Sequence, residues 1–479
     1  MKNGNIDVHC HLFNGKFAFE ELLEIGWRWM HGEYPYADGQ MRRTTRGIRL
    51  PLPPFIKKMI TYTANLFETV TRDPAGNYKY ETECYRKSGF RRSEPLITVP
   101  LMMDIYFIFD DGAGHGRRSG IGAMSAARKK ASLGQLHIAE KRHSEFDAFA
   151  EEMKGLVLQA VSERASSGRR AATATAVKRK ITVEKELDAI IGECKAPRKA
   201  PSKVRGAAGG GDVQMTRGYR HHIEALREIK HAYPDSVFPF LAVDPRRIGI
   251  DSLVDEHVLR GDFHGVKLYC PLGYLPSHPD LNPVFRTCIG NGIPVTAHTS
   301  PGGFPSQCGQ IRSFRRKKDG VVVPVFFDKE DFVKQRKPEK GESAQSLFFA
   351  DPGNWLDVLE SAGFGRLKVN FAHFGGEDHI GAFADGKANP GNWTAAIVEL
   401  MERFENVYAD VGYCPDSKMP EYIGKIVARH PVVAERLMFG TDYVMIMING
   451  CGLTNYFNEY TRLTSAMLRD NAVKFLARP

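Results

Sequence analysis

Asp7-Val8-His9-Cys10-His11, an Asp-x-His-x-His embedded in the apolar run Asn5–Leu12, reads as the first β-strand and decides how the rest of the chain is read. Side chains two apart on a strand point to one face, their Cα atoms roughly 6–7 Å apart. Two imidazoles so placed can close on one metal ion, with nitrogen–metal bonds of roughly 2 Å. Cys10 lies between them and faces the other way, into packing. A lone His-x-His is weak evidence; it gains weight from titratable residues placed further along the chain.

Seven further apolar runs read as strands: Leu96–Phe109 in part, Val237–Val243, Gly265–Leu268, Pro294–Ala297, Leu367–Ala372, Val407–Ala409 and Leu437–Gly440. Helical periodicity lies between most of them. Tyr219–Ala232 spaces Ile223, Leu226 and Ile229 by three. Trp355–Leu359, Asn392–Phe404, Tyr422–Ala428 and Tyr460–Leu476 show the same spacing. Strand and helix alternating eight times predicts an α/β chain, a parallel sheet closed into a (β/α)8 TIM barrel. No Gly-x-Gly-x-x-Gly comes after the first strand, which lowers an open dinucleotide-binding sheet. One barrel then spans 1–479, with long insertions after strands 1, 2 and 5. Residues 20–94 are aromatic and Arg-rich and read as a cap near the barrel mouth. Residues 113–215 are basic and in part flexible, with a helix expected at Glu145–Val161. Residues 310–344 read as a hairpin-bearing loop around Val321–Phe327.

The net charge of +10 belongs almost wholly to one segment. Residues 113–215 hold 20 Lys/Arg against 11 Asp/Glu, and the remainder is close to neutral. That segment has only Phe146 and Phe149 as aromatics and no finger or helix-turn-helix spacing, so nucleic-acid binding is not expected of it. The longest apolar stretch is interrupted by Asp104 and bounded by charge, and no membrane span or signal peptide is read. Eight cysteines without a Cys-x-x-Cys suit reduced thiols in a cytoplasm. A homodimer stays open.

In a parallel barrel the active site collects where strands end and βα loops begin. His9 and His11 end the first strand, His298 the fifth, His373 the sixth and Asp442 the eighth. Each is a titratable group where an apolar strand stops. Imidazoles with a carboxylate suit Zn²⁺, Fe²⁺ or Mn²⁺ better than Mg²⁺ or Ca²⁺.

With Asp7–Phe13 stand Gly265-Val266-Lys267-Leu268-Tyr269, Pro294–His298, Ala372-His373-Phe374-Gly375-Gly376, Asn406–Asp410, Phe439-Gly440-Thr441-Asp442-Tyr443 and the tail Leu468–Ala472. In these pieces and their order the chain resembles the amidohydrolase superfamily, in particular the branch of aminocarboxymuconate-semialdehyde decarboxylase-like and pyrone-dicarboxylate lactonase-like enzymes. The resemblance implies one divalent ion, zinc most often, held by His9, His11, His298 and Asp442. It implies His373 as catalytic acid/base, with Asp442 assisting as a second proton acceptor. A bound metal brings the pKa of its water toward neutrality, where an imidazole can take the proton. Lys267 is expected not to bridge a second metal, since it precedes its strand's end. Tyr269-Cys270-Pro271 and Tyr443-Val444 depart from the family pattern and leave substrate preference open.

Bland roles remain for several neighbours. Asp104 is read either as a partner behind a ligand histidine or as structural. Asp410 either orients substrate or caps a helix. Glu377, Asp378 and His379 read as loop residues. Three functions compete. The first is a hydrolase of a small polar molecule bearing an amide, lactone or similar carbonyl. The second is a non-oxidative decarboxylase, which needs arginines such as Arg28, Arg42, Arg43, Arg46 or Arg49 to hold a carboxylate. The third is a non-catalytic scaffold whose basic segment recruits an acidic partner.

Overall fold

The computed structural model describes residues 4–12, 73–90, 95–110, 112, 203–204, 213–317, 320–335, 342–361, 363–448 and 451–479, with scattered helical positions between 151 and 188. Eight strands form its frame: β1 Asn5–Cys10, β2 Leu96–Pro100, β3 Phe240–Ala242, β4 Gly265–Leu268, β5 Val295–His298, β6 Val369–Ala372, β7 Val407–Asp410 and β8 Leu437–Met438. Strands β3 to β8 pair in parallel in chain order, and β1 pairs in parallel with β2. Backbone hydrogen bonds join the two groups at both seams. Thr98 N donates to Ser236 O, Phe238 N to Thr98 O and Met102 N to Phe240 O on one side. Val8 N donates to Phe439 O, and Thr441 N to His9 O, on the other. The ring therefore closes on itself, and the fold is the (β/α)8 barrel, which leaves no edge strand exposed.

Each expected strand is present within a few residues of its expected bounds except the second, which stops at Pro100, with Tyr106–Phe109 turning as a 3-10 helix. Ile6, Val8, Ile97, Val99, Leu101, Phe240, Tyr408 and Met438 pack together with Phe475 and Leu476 of the last helix and make the barrel's apolar floor. A larger shell of Leu, Ile, Val and Phe joins the outer strand faces to the helices. Helix Arg217–Ala232 buries Ile223, Leu226 and Ile229, as its three-residue steps predict.

Local departures have local causes. The continuous helix expected over Tyr460–Leu476 is broken: one helix ends at Tyr460, and Ala466–Leu476 runs as a π turn followed by an α turn. The Thr464 hydroxyl accepts from Met467 N and starts the new segment, a competition that Ser and Thr side chains regularly win at helix starts. The loop after β5 carries an antiparallel hairpin, Gln310–Arg316 with Val322–Asp328, where the sequence places one. Most of the first insertion lies outside the described residues. Its described part is the helix Pro74–Lys87, started by the Asp73 carboxylate on Gly76 N, and it lies along the barrel wall. There Tyr85 accepts from Asn5 at the start of β1, and Glu81 reaches Asp7 and Thr98. The second insertion and the expected helix at Glu145–Val161 fall largely outside the described residues.

Candidate metal centre

The register of β1 slips between Asp7 and Cys10, and the slip aims the histidines. Ile6 and Val8 lie in the floor. Strict alternation would then carry His9 and His11 outward with Asp7. Instead Asp7 stays on the wall side, where its Oδ1 accepts from His9 N at 2.9 Å and Thr441 N at 3.0 Å, and its Oδ2 from Thr441 Oγ1 at 2.5 Å. The bulge this creates turns the two imidazoles toward the mouth. Burial raises the Asp7 carboxyl and, together with Asp7, raises Glu81 well above its usual value.

Four imidazoles converge, and each has one nitrogen committed to an acceptor. His9 Nδ1 lies 3.0 Å from Asp410 Oδ1, and His11 Nδ1 2.7 Å from Leu101 O. His373 Nδ1 lies 2.8 Å from Gly412 O, and His298 Nε2 3.1 Å from Gly302 O. Carbonyls and carboxylates only accept, so those four nitrogens carry the protons. The other nitrogen of each ring, His9 Nε2, His11 Nε2, His298 Nδ1 and His373 Nε2, is the one that offers a lone pair when its ring is neutral. Two of these face each other, His298 Nδ1 and His373 Nε2 at 3.1 Å, a contact satisfied by a proton on one of the pair or by a cation beside both. Burial, then His9, lowers His373 to about 3.

The carboxylate completes the set. Asp442 Oδ1 is buried without a hydrogen-bond partner among the described residues and lies 3.5 Å from His11 Nε2. Burial raises this carboxyl to about 6, against the pull of His9 and Lys267. Donor atoms of His9, His373 and Asp442 lie within 4.8 Å of one another. Imidazoles backed by carbonyl and carboxylate acceptors, with a buried carboxylate oxygen among them, are the donor set a borderline divalent cation requires. The residues fit a metal.

Backbone strain gathers at the same rim. Non-glycine residues with positive φ among those described are His373 (69°), Phe374 (49°), Tyr413 (50°) and Asp442 (48°), all just beyond β6, β7 and β8. Such conformations cost of order 1–3 kcal/mol each and persist where the surroundings hold them. Asp442 N is held by His9 O at 2.6 Å, and His373 N by Asp410 Oδ1 at 3.1 Å. Gly412 leaves room for His9, since a Cβ there would sit 2.7 Å from His9 Nδ1.

Asp410 is the residue whose role the sequence left divided. It neither caps a helix nor faces open solvent. Its Oδ1 accepts from His9, His373 N and Gly412 N, and its Oδ2 from Asn370 Nδ2 at 2.7 Å. Burial alone would raise its carboxyl; the charge and hydrogen bond of His9, then His373 and Asn370, bring it below its usual value. Asn370 was missed, although a polar residue in Val369–Ala372 was a visible signal. Asp104 does not stand behind a histidine: it pairs with the buried Arg247 guanidinium, which lies 3.9 Å over the Tyr219 ring. Glu377 accepts from Asp416 N, and His379 bonds Trp393 N, both holding loops. Lys267 is 2% exposed, with no hydrogen-bond partner for Nζ among the described residues. Burial lowers it to about 8, while Asp410 and Asp442 pull it back up.

The shifts give the metal-free protein a signed pH dependence. His11, His298 and His373 are lowered, by burial first, and resist protonation in the fold, yet take protons near 6.5 when unfolded. Their stabilisation is present above 6.5 and is lost as pH falls below it. Asp442, raised to about 6, acts oppositely, favouring the fold as pH falls toward 3.8. Asp7 and Glu81, also raised by burial, act with Asp442, and the buried His222 and half-buried His264, lowered to about 3 and 4, act with the three rings, so these five imidazoles outweigh these three carboxyls. The guanidinium midpoint of chelator-treated protein should therefore drop from pH 7.5 to pH 5. An unchanged midpoint would mean that the rings protonate in place.

A family model described as Amidohydrolase matches residues 189–447, more than half of the chain. No curated protein matches. Among solved structures, the chain is similar to an uncharacterized TIM-barrel protein, Bb4693, from Bordetella bronchiseptica, at 16% identity and a TM-score of 0.34, covering 67% of this chain and 89% of that one. It is similar to 5-carboxyvanillate decarboxylase LigW from Sphingomonas paucimobilis at 14% identity and a TM-score of 0.31, covering 55% and 73%. A 2,6-dihydroxybenzoate decarboxylase from Rhizobium is similar at 15% identity and a TM-score of 0.29, covering 54% and 78%. The family match takes in β3 to β8, and with them His298, His373, Asp410 and Asp442. This chain belongs to the amidohydrolases, a superfamily of metal-dependent enzymes.

Proposed function

We propose that the chain is a metal-dependent hydrolase of a small polar organic molecule bearing an amide, lactone or similar carbonyl. The observation that carries this reading is the convergence of four imidazoles, each with its outer nitrogen on a protein acceptor, beside the buried Asp442 Oδ1. His9, His11, His298 and Asp442 would hold the ion, zinc first and manganese or iron next by donor type. When bound, it would polarise a carbonyl and acidify a water. His373 carries the proton traffic. Its Nδ1–H is anchored on Gly412 O, so Nε2 is the atom that takes a proton and returns it to the leaving group. Asp442, raised toward 6, is a second acceptor near neutral pH.

Lys267 favours a second reading, non-oxidative decarboxylation of a small carboxylic acid. Its buried ammonium lacks a hydrogen-bond partner among the described residues and suits an anionic substrate. Arg246 and Arg247 do not offer that service, being occupied by Asp244 and Asp104. The arginines expected in the first insertion lie outside the described residues.

Among the described residues no helix is long and apolar enough to cross a membrane, and Cys10, Cys84, Cys270, Cys288, Cys414 and Cys451 are free thiols. The free thiols support a cytoplasmic setting. One experiment separates the readings. Protein stripped and reloaded with Zn²⁺ or Mn²⁺ is assayed on lactone, amide and aromatic-acid panels while CO₂ is followed. Turnover without CO₂ supports hydrolysis, and CO₂ release supports the decarboxylase. Failure to retain near-stoichiometric metal would sink both and leave the scaffold.

A further inference from the structure

We propose that Tyr269 is a positioning residue for His298: through the 299–304 loop, its hydroxyl selects which nitrogen of that imidazole faces the centre. The consequence for metal rests on the metal-dependent reading of the site, whereas the selection itself does not.

Tyr269 comes directly after β4 and is held at both ends. Its backbone N–H donates to Tyr274 Oη at 2.7 Å, and Tyr274 Oη is 3.3 Å from Val243 O. Its own hydroxyl accepts from Phe304 N at 2.7 Å. The ring lies against the His298 imidazole, centroids 4.7 Å apart. Between that ring and Phe304 the chain passes through Gly303 at φ +111°, where an added Cβ would lie 2.2 Å from Tyr269 Oη and 3.1 Å from His298 Nε2. Only a glycine passes so close, and the passage sets the preceding carbonyl, Gly302 O, 3.1 Å from His298 Nε2. The loop's other end is fixed by Thr299 Oγ1 on Ala372 O at 2.6 Å.

A neutral imidazole carries one proton, and a neighbouring acceptor decides where it sits. With Gly302 O in place the proton sits on Nε2, and the Nδ1 lone pair faces His373. If the loop relaxes, Nε2 loses its acceptor and the proton can move to Nδ1, which blocks that lone pair. Tyr269 thus acts at one remove, through the hydrogen bond its hydroxyl accepts from Phe304 N.

Tyr269→Phe removes the hydroxyl and little else. In full-length protein carrying ¹⁵N-histidine, long-range imidazole ¹H–¹⁵N correlation spectra report each tautomer, and His298→Asn identifies the His298 signals. Metal-free wild type should show His298 protonated at Nε2, and Tyr269→Phe should show a mixture with Nδ1–H. Co²⁺ affinity, followed by visible absorption, should fall roughly 10-fold, the lower end of what losing an outer partner costs. Gly303→Ala, which drives the loop off the hydroxyl, should shift the same two readouts even if Tyr269→Phe is poorly folded. An unchanged His298 tautomer with Co²⁺ affinity within about twofold, in a variant of wild-type circular dichroism, overturns the proposal. If the wild type takes up no Co²⁺, the metal reading fails, and the tautomer comparison still decides the role of Tyr269.

Discussion

Asp442→Asn is expected to abolish stoichiometric metal binding while leaving the metal-free fold intact. The side chain keeps its shape and loses the charge that makes Oδ1 a ligand. Asp442 sits buried at φ 48°, with its backbone N on His9 O, and neither constraint needs a charge. An unpaired buried carboxylate is a cost to the metal-free protein, so the neutral amide should hold or raise its melting temperature at pH 8. Affinity for Zn²⁺ or Co²⁺ should fall by more than about 100-fold, above the roughly 10–100-fold that loss of an outer partner costs. Calorimetric titration beside a melting curve makes the check. A variant that still retains one equivalent of metal through gel filtration would remove Asp442 from the centre.

Asp410→Asn should weaken the metal by roughly 10–100-fold and slow any metal-dependent turnover with it. The carboxylate accepts four hydrogen bonds, the one from His9 Nδ1 fixing that ring's tautomer and strengthening Nε2 as a donor. The substitution is cleaner than it first looks. Asn370 Oδ1 has no partner among the described residues and can turn to accept from the new amide, so geometry is retained while the charge behind His9 is lost. An affinity unchanged in equilibrium dialysis would mean that the charge at 410 contributes nothing to His9 as a ligand.

The barrel was legible because its evidence is local. Eight apolar runs of strand length, alternating with three- and four-residue spacing, need no knowledge of tertiary contacts, and the titratable residues ending the first, fifth, sixth and eighth runs mark the mouth. What stayed hidden depends on contacts between distant residues. The slip in β1 is made by Asp7 accepting from Thr441, and nothing near residue 7 announces it. The role of Asp104 was hidden because its partner, Arg247, is 143 residues away. The commitment of each histidine's outer nitrogen was equally hidden, since three of the four acceptors are backbone carbonyls and any residue supplies one. Helix ends fared between these cases: Thr464 is a visible start signal inside a run that hydrophobic spacing alone joins together.

The seam between the first and last strands bears on how the protein comes into being. Asp7 and Thr441 are 434 positions apart, yet the bond between them shapes the bulge that presents His9 and His11. On the ribosome the two histidines emerge long before Thr441 and must wait, unaimed, until it follows. Contacts of such span form late in folding. Newly made protein should therefore acquire its ion only once Thr441 and Asp442 have emerged, and premature capture by a half-built chain is avoided by the order of synthesis itself.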